Sequence, residues 1–391
     1  MNIAILIQTL GGGGAERVAQ IIGDYYVNRG NNVYYFLGHT SVKPVYPVKG
    51  QIVDTGIKGC LSNNVFGDIQ ALGKLFLASL QMRKWKRRYQ IDVAVSFMEE
   101  FNYLNILSKG REKVITRVCT ILSQEGEWVN LFFRKDIVHF FYPKSDRIVV
   151  MSEYAKRDMY CNFNIPMNKM VKIPNPVVTG NTQESSMGLE YGDKVIITVG
   201  RLAPEKQQER IIRAFSYVAA SEKDARLLIL GTGPNEGYLK NIAYKHKVKE
   251  NVIFAGFKSD VAHYLKNSRI FVLASRLEGF PNGMIEAMAN GLPVVTTDAP
   301  GGCGEIVGKK REAGACEDIE YCPYGIMTPH ISGQIRAGGE LTREERLLGQ
   351  AMLELLRNEE LCERYSKRSM KRAAMYDVEK IMEIWNRLLQ T

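Results

Sequence analysis

Histidine and cysteine are scarce in this chain, five and seven among 391 residues, and no two cysteines form a C-x-x-C pair. Cys60, Cys119, Cys161, Cys303, Cys316, Cys322 and Cys362 are scattered instead, the pattern of small buried apolar groups in a reduced cytoplasm rather than of a disulfide framework. The irregular spacing of Cys303, Cys316 and Cys322 argues against a zinc site. No apolar stretch approaches the ~20 residues that cross a bilayer, which excludes a spanning helix. The first strand is expected from Ile3, with no signal peptide before it, so a cytoplasmic location is expected. The dinucleotide fingerprint G-x-G-x-x-G is missing: Gly11 to Gly14 is a bare tetraglycine, with no clear ribose-binding acid about 20 residues later, which disfavours a nicotinamide dehydrogenase. No nucleic-acid motif surrounds the one dense basic run, Arg83-Lys84-Trp85-Lys86-Arg87-Arg88, so nucleic acid is not an expected partner.

What is present is an ordinary globular composition, 45% apolar and 24% charged, long enough for two domains of usual size. The net charge of +10 is lopsided: residues 1 to 178 hold 23 basic and 14 acidic side chains, against 29 and 28 in the remainder. A basic first half suits an anionic partner, either a lipid diphosphate or an anionic membrane surface. Apolar strands at Ile3 to Ile7, Val33 to Leu37, Val93 to Ser96, Val114 to Arg117 and Arg147 to Met151 alternate with helical patterns, as in a mostly parallel α/β sheet. Asn175-Pro176 and the polar stretch Thr179 to Ser186 read as a linker. A second series follows at Val195 to Val199, Leu227 to Leu230, Val252 to Ala255, Ile270 to Leu273 and Pro293 to Thr296. The expected division is an N-terminal domain over 1–178, a C-terminal domain over 179–375, and a last helix over 376–391. Leu72 to Arg88 combines Leu75, Phe76, Leu80 and Trp85 with closely placed cations. It reads either as a helix resting on anionic lipid headgroups or as a domain helix packed on the sheet with its basic end at the helix C-terminus.

Residues 275 to 286 read SRLEGFPNGMIE and carry the most chemistry. Glu278 falls in the loop at the carboxyl end of the expected strand Ile270 to Leu273, where open α/β sheets bind ligands. A helix is expected from Asn282; its first turn can cradle a diphosphate, and Glu286 lies about one turn inside it. A carboxylate there can accept both hydroxyls of a ribose, and Glu278 can hold sugar hydroxyls and stabilise positive charge. Arg201 and Lys206, just after Val199-Gly200, are cations suited to a departing diphosphate, Arg as a planar fork and Lys as a mobile point charge.

Glu278 and Glu286 together resemble the E-x7-E signature of retaining glycosyltransferases of family four, which have the GT-B fold. Three further segments agree in the same order: Met1 to Val18 (MNIAILIQTLGGGGAERV), Val199-Gly200-Arg201-Leu202 with Glu205-Lys206, and Asp298 to Glu305 (DAPGGCGE). The resemblance implies an α/β protein of two Rossmann-like domains with parallel sheets facing across a cleft, the last helix crossing back to the N-terminal domain. It implies transfer of a hexose or N-acetylhexosamine from a nucleotide-diphosphate sugar, a UDP-sugar before a GDP-sugar, with no metal and no cofactor beyond that co-substrate. The acceptor implied is a polyprenyl-diphosphate-linked glycan in surface-polysaccharide assembly, at the inner face of the cell membrane. A small soluble acceptor, or a non-catalytic sugar-nucleotide-binding subunit, stands as the alternative. By the same resemblance, Glu278, Arg201 and Lys206 are catalytic. Glu286, Gly279, Phe280, Pro281, Asn282, Gly233 and Phe257 bind the donor, and Gly12, Gly13, Gly14 and Glu16 form a phosphate or acceptor loop. Glu16 reads equally as a helix N-terminal charge. The chain departs from many relatives at Val114 to Thr120, where Arg117 and Cys119 stand and no histidine is found.

Overall fold

The computed structural model describes residues 1–57, 65–124, 134–179, 191–309, 313–333 and 338–390, and side chains of 65–72 fall outside that description. Cys60 and residues 180–186 of the expected linker therefore lie outside the described residues, as does the side chain of Leu72. The chain separates into two compact units, Met1–Pro176 with Glu379–Thr391, and Val177–Val378.

The first unit is built on strands β1 (Asn2–Ile7), β2 (Asn32–Leu37), β3 (Gln51–Asp54), β4 (Val93–Phe97), β5 (Lys113–Arg117), β6 (Arg147–Val150) and β7 (Met170–Lys172), in the spatial order β3-β2-β1-β4-β5-β6-β7. Every pairing is parallel, and Ile3, Ala4, Ile5, Leu6 and Ile7 of β1 are wholly buried. Burial on both faces explains why these strands read as continuous apolar runs rather than alternating ones. The order reverses between β1 and β4, and Gly11 to Gly14 follow β1 at that point. The C-terminal helix Val378–Gln390 belongs to this unit through Glu379 to Thr391: Arg29 pairs with Glu379 at 2.6 Å, and Asn386 Nδ2 donates to Tyr25 OH at 3.0 Å.

The second unit holds β8 (Val195–Val199), β9 (Arg226–Leu230), β10 (Val252–Gly256), β11 (Ile270–Leu273), β12 (Val294–Thr297), β13 (Glu320–Cys322) and β14 (Gly325–Thr328), ordered β10-β9-β8-β11-β12-β14-β13. Only the β13–β14 hairpin is antiparallel among the described strands. Its core gathers Ile196, Leu227, Ile229, Ile270 and Val272 from the sheet with Ile211, Phe215, Leu348 and Leu355 from two helices. Two buried arginines hold those helices together: Arg210 and Arg213 reach the wholly buried Glu345 at 2.9 and 2.7 Å. The strand order reverses between β8 and β11, which puts the ends of those two strands at the place where such sheets bind ligands.

Candidate active site

Two loops meet at the β8/β11 reversal. The first leaves β8 through Gly200, Arg201 and Leu202 and ends in the short turn Pro204–Lys206. The second leaves β11 through Ala274 and Ser275 to Glu278 and enters the helix Asn282–Ala289. Arg276 N–H donates to the Glu205 carbonyl at 2.9 Å, which stitches one loop to the other. Gly283 completes the junction: a Cβ there would lie 3.3 Å from the Val199 carbonyl oxygen, so a bare backbone lets the helix's first turn approach the end of β8.

This packing brings Lys206 and Glu278 into contact. Lys206 Nζ lies 2.7 Å from Glu278 Oε1, with the lysine side chain 28% and the glutamate 9% exposed. The same oxygen accepts from the buried Ser275 hydroxyl at 2.7 Å. Burial pulls the Lys206 pKa down, yet the charge and hydrogen bond of Glu278, with Glu205 behind them, leave it above the usual lysine value. Arg201 pairs with Glu205 at 2.6 Å and is largely exposed. At Glu205, burial acts to raise the pKa, but the Arg201 hydrogen bond and its charge hold the carboxyl below the ordinary glutamate value. Cys303 forms an inert wall nearby: burial first, and the Glu278 charge second, push its thiol up to about 12.

The Glu278 backbone is fixed by the glycine-rich loop after β12. Its N–H donates to Pro300 O at 3.1 Å, and Gly302 N–H donates to Glu278 O at 2.9 Å. Gly301 adopts φ +115°, and a Cβ there would stand 1.6 Å from the Glu278 carbonyl oxygen. The close approach therefore requires glycine. Glu286 occupies the second turn of the helix that begins at Asn282, half-buried, and Pro281 precedes the first helical residue.

Comparison with known proteins decides the family. Residues 12–181 match the model described as Glycosyltransferase Family 4, and residues 181–319 match Glycosyl transferases group 1. This chain belongs to the family 4, group 1 glycosyltransferases. It is 32% identical to the uncharacterized glycosyltransferase MJ1059 of Methanocaldococcus jannaschii, over 64% of this chain and 65% of that protein's length. It is 25% identical, over 97% of each chain, to N-acetylgalactosamine-N,N'-diacetylbacillosaminyl-diphospho-undecaprenol 4-alpha-N-acetylgalactosaminyltransferase of Campylobacter jejuni. The Anabaena protein HepE, solved with UDP and glucose, superimposes with a TM-score of 0.73 at 17% identity, covering 100% of this chain and 99% of that one. The two units are those of the GT-B fold.

Within the glycosyltransferase, the other residues singled out in the sequence lie in both units. Gly279 and Asn282 lie on the same loop and helix start as Glu278. Phe280 and Pro281 are buried, and the Phe280 ring packs edge-on against Tyr376 with centroids 5.3 Å apart, so its ring serves packing. Gly233 also has a packing reason, since a Cβ there would meet the Leu202 carbonyl oxygen at 2.3 Å. Phe257 is exposed just beyond β10, a strand that lies two places from β8 in the sheet. In the first unit, Gly12 takes φ +97°, and Gly13 precedes the helix Gly14–Val27. Glu16 accepts from the Gly13 N–H at 2.6 Å and from the Thr9 hydroxyl, which makes it the helix's N-terminal acceptor. Arg117, in the segment Val114 to Thr120 that holds no histidine, is buried: it donates to Asn175 Oδ1, and its guanidinium carbon lies 5.4 Å from the Phe97 centroid. Burial lowers its pKa from the ordinary arginine value. Ser275 is the residue that motif spacing did not single out; its place three positions before Glu278 was the available signal.

Proposed function

We propose that this glycosyltransferase moves a hexose or N-acetylhexosamine from a UDP-sugar to a hydroxyl of a polyprenyl-diphosphate-linked glycan, with retention of anomeric configuration. The observation that carries the reading is the Lys206–Glu278 contact at the β8/β11 reversal, one short turn before the helix that bears Glu286. HepE, solved with UDP and glucose, supports the choice of nucleotide. The name of the Campylobacter relative, which specifies a diphospho-undecaprenol-linked acceptor, supports the choice of acceptor.

In this reading the donor diphosphate rests on the first turn of Asn282–Ala289, at the positive end of the helix dipole. Glu286 accepts the ribose hydroxyls and Glu278 those of the hexose. Lys206 is the mobile cation. Held on Glu278 before the donor enters, its ammonium turns toward the diphosphate as charge builds there, and Arg201 follows from the exposed side. The bond between the anomeric carbon and the diphosphate oxygen breaks with its electron pair leaving on the UDP. The acceptor oxygen bonds to the vacated face, and its proton passes to the departing phosphate oxygen. No strong protein base is required, so a buried Arg117 in place of histidine is compatible with the chemistry.

Incubating the full chain with UDP-hexoses and a polyprenyl-diphosphate-linked glycan tests the reading. An α-configured product from an α-configured donor, read by the anomeric NMR coupling, is expected. An inverted anomer would sink the retaining assignment, and transfer only to soluble sugar phosphates would sink the lipid-linked acceptor.

A further inference from the structure

The glycine-rich loop that holds the Glu278 backbone is itself closed by a buried ion pair. Asp298 leaves the end of β12 with its N–H donating to Thr328 O at 2.8 Å, and the residue is wholly buried. From there the chain passes through Pro300, Gly301 and Gly302, where it meets Glu278, and on through the short helix Cys303–Val307. Gly308 turns it back at φ +81°, Lys309 N–H donates to Gly304 O at 2.8 Å, and the Lys309 ammonium ends on Asp298 Oδ2. The lysine side chain is only 2% exposed. The same carboxylate oxygen accepts the Cys316 N–H at 3.0 Å, so Asp298 gathers the returning chain at two points.

A buried pair of this kind is a weak source of stability, because taking both charges out of water offsets most of their attraction, and an apolar pair of similar volume would hold the fold about as well. What the pair supplies is geometry: an ammonium seated on one carboxylate oxygen admits a single closure of the loop. That closure bears directly on the site. Glu278 and Gly301 form a parallel bridge, with the Glu278 N–H on Pro300 O and the Gly302 N–H on Glu278 O, so any shift of the loop passes to the Glu278 backbone. The Glu278 carboxylate, gripped by Lys206 and Ser275, is carried with it. We propose that Asp298 and Lys309 are positioning residues for sugar transfer, a buckle that closes the glycine-rich loop and sets where the Glu278 carboxylate stands against the donor hexose. Both side chains are too deeply buried to touch a donor, so they act through Glu278. The inference rests on the donor-site reading proposed above and adds to it two residues outside the pocket.

UDP release by the full chain from UDP-glucose, UDP-galactose and their N-acetyl counterparts, with a polyprenyl-diphosphate-linked glycan present, measures kcat and donor KM; calorimetry with UDP measures affinity. Lys309→Met should lower kcat roughly ten- to a hundredfold, the cost of a displacement of up to about 1 Å at the reacting centre, with donor KM and UDP affinity within about threefold of the parent. Lys309→Arg, which keeps a cation on Asp298, should recover most of the loss. Asp298→Asn with Lys309→Met leaves no charge stranded in the core, so it should melt above Lys309→Met alone and yet keep the low kcat. Placed on Glu278→Gln, Lys309→Met should cost less than about twofold more, because a residue that acts through Glu278 then has no carboxylate to position. An equal kcat loss with and without the Glu278 carboxylate, or a kcat that recovers along with the melting temperature in the neutral double variant, overturns the proposal and leaves the donor site standing. Glu278→Gln turning over at the parent's rate overturns the donor-site reading and this inference with it.

Discussion

Lys206→Ala separates the chemical from the structural role of the central contact. The substitution removes an ammonium 2.7 Å from Glu278 Oε1 and leaves that oxygen with the Ser275 hydroxyl as its remaining side-chain donor among the described residues. Breaking a fully buried ion pair costs about 3–5 kcal/mol, but Lys206 is 28% exposed, so water can solvate the stranded carboxylate and about 1–3 kcal/mol is the fitting range. For a domain the size of the second unit, that lowers the melting temperature by roughly 3–10 °C. The catalytic cost is larger if Lys206 meets the leaving diphosphate: removing one preorganised charge-stabilising donor costs about 10²–10³ in kcat, or about 2.7–4 kcal/mol. Turnover measured well below the melting point isolates this term, with the donor KM moving far less than kcat. Glu278 holds the Lys206 pKa above its ordinary value of 10.5 against the downward pull of burial. The stabilisation it represents is therefore complete below pH 10.5 and is lost only as the pH rises through the higher folded value. The variant's kcat defect should accordingly be constant between about pH 6 and 9. A Lys206→Ala enzyme with kcat within threefold of the parent, or a defect that vanishes on cooling, would refute the catalytic assignment and leave a structural ion pair.

Four other perturbations follow from the same geometry. Ser275→Ala should lower kcat about tenfold with little change in melting temperature, by freeing Glu278 to rotate, and Ser275→Thr should recover most of the loss; equal losses in both would mean a packing role. Gly301→Ala should cost more than about 3 kcal/mol, because it combines a positive φ with a clash against the Glu278 carbonyl, and chemical denaturation reads the loss. At Glu345 burial acts to raise the pKa, but the hydrogen bonds from Arg213 and Arg210 outweigh it and hold the carboxyl below the ordinary value of 4.5. Its stabilisation is present above pH 4.5 and fades as the pH falls through the lower folded value, so Glu345→Gln should flatten the acid limb of the stability profile. Among the described cysteines, thiol labelling of the native chain should strike the exposed Cys161 and spare Cys303, whose thiol is buried and raised to about 12.

The strands that frame the site were the most legible part of the chain. Val195–Val199 and Ile270–Leu273 have the bounds expected from their apolar runs, because strands buried on both faces carry uninterrupted aliphatic sequence. Edge elements escaped. Gln51–Asp54 has a single buried position, Met170–Lys172 is three residues long, and the β13–β14 hairpin turns on Pro323-Tyr324; none offers a period to detect. At the site, the placement of Glu278 and Lys206 on two strand-end loops and of Glu286 on the helix from Asn282 was legible because each follows from a short local run. Phe280 and Gly233 were not readable as packing residues, since their partners, Tyr376 and the Leu202 backbone, lie far off in sequence or on another loop. Glu16 accepts from the Gly13 N–H as a helix N-terminal charge does, a contact that the run Gly11 to Glu16 does not reveal by spacing alone. The Leu72 to Arg88 alternatives resolve differently: from Gly73 on, one face packs as a domain helix does, and the other remains exposed with its cations.

The account rests on nucleotide binding at the β8/β11 reversal, and thermal denaturation of the parent chain and of Glu286→Ala, titrated with UDP, GDP, ADP and their sugar conjugates, tests it most directly. A ligand confined to the folded state stabilises it by about 2.7 kcal/mol at a hundred times its Kd, a shift of several degrees for a domain of this size. The account predicts that UDP and UDP-sugars raise the melting temperature of the parent and lose most of that effect in Glu286→Ala. No shift with any nucleotide, or an equal shift in the variant, would contradict it.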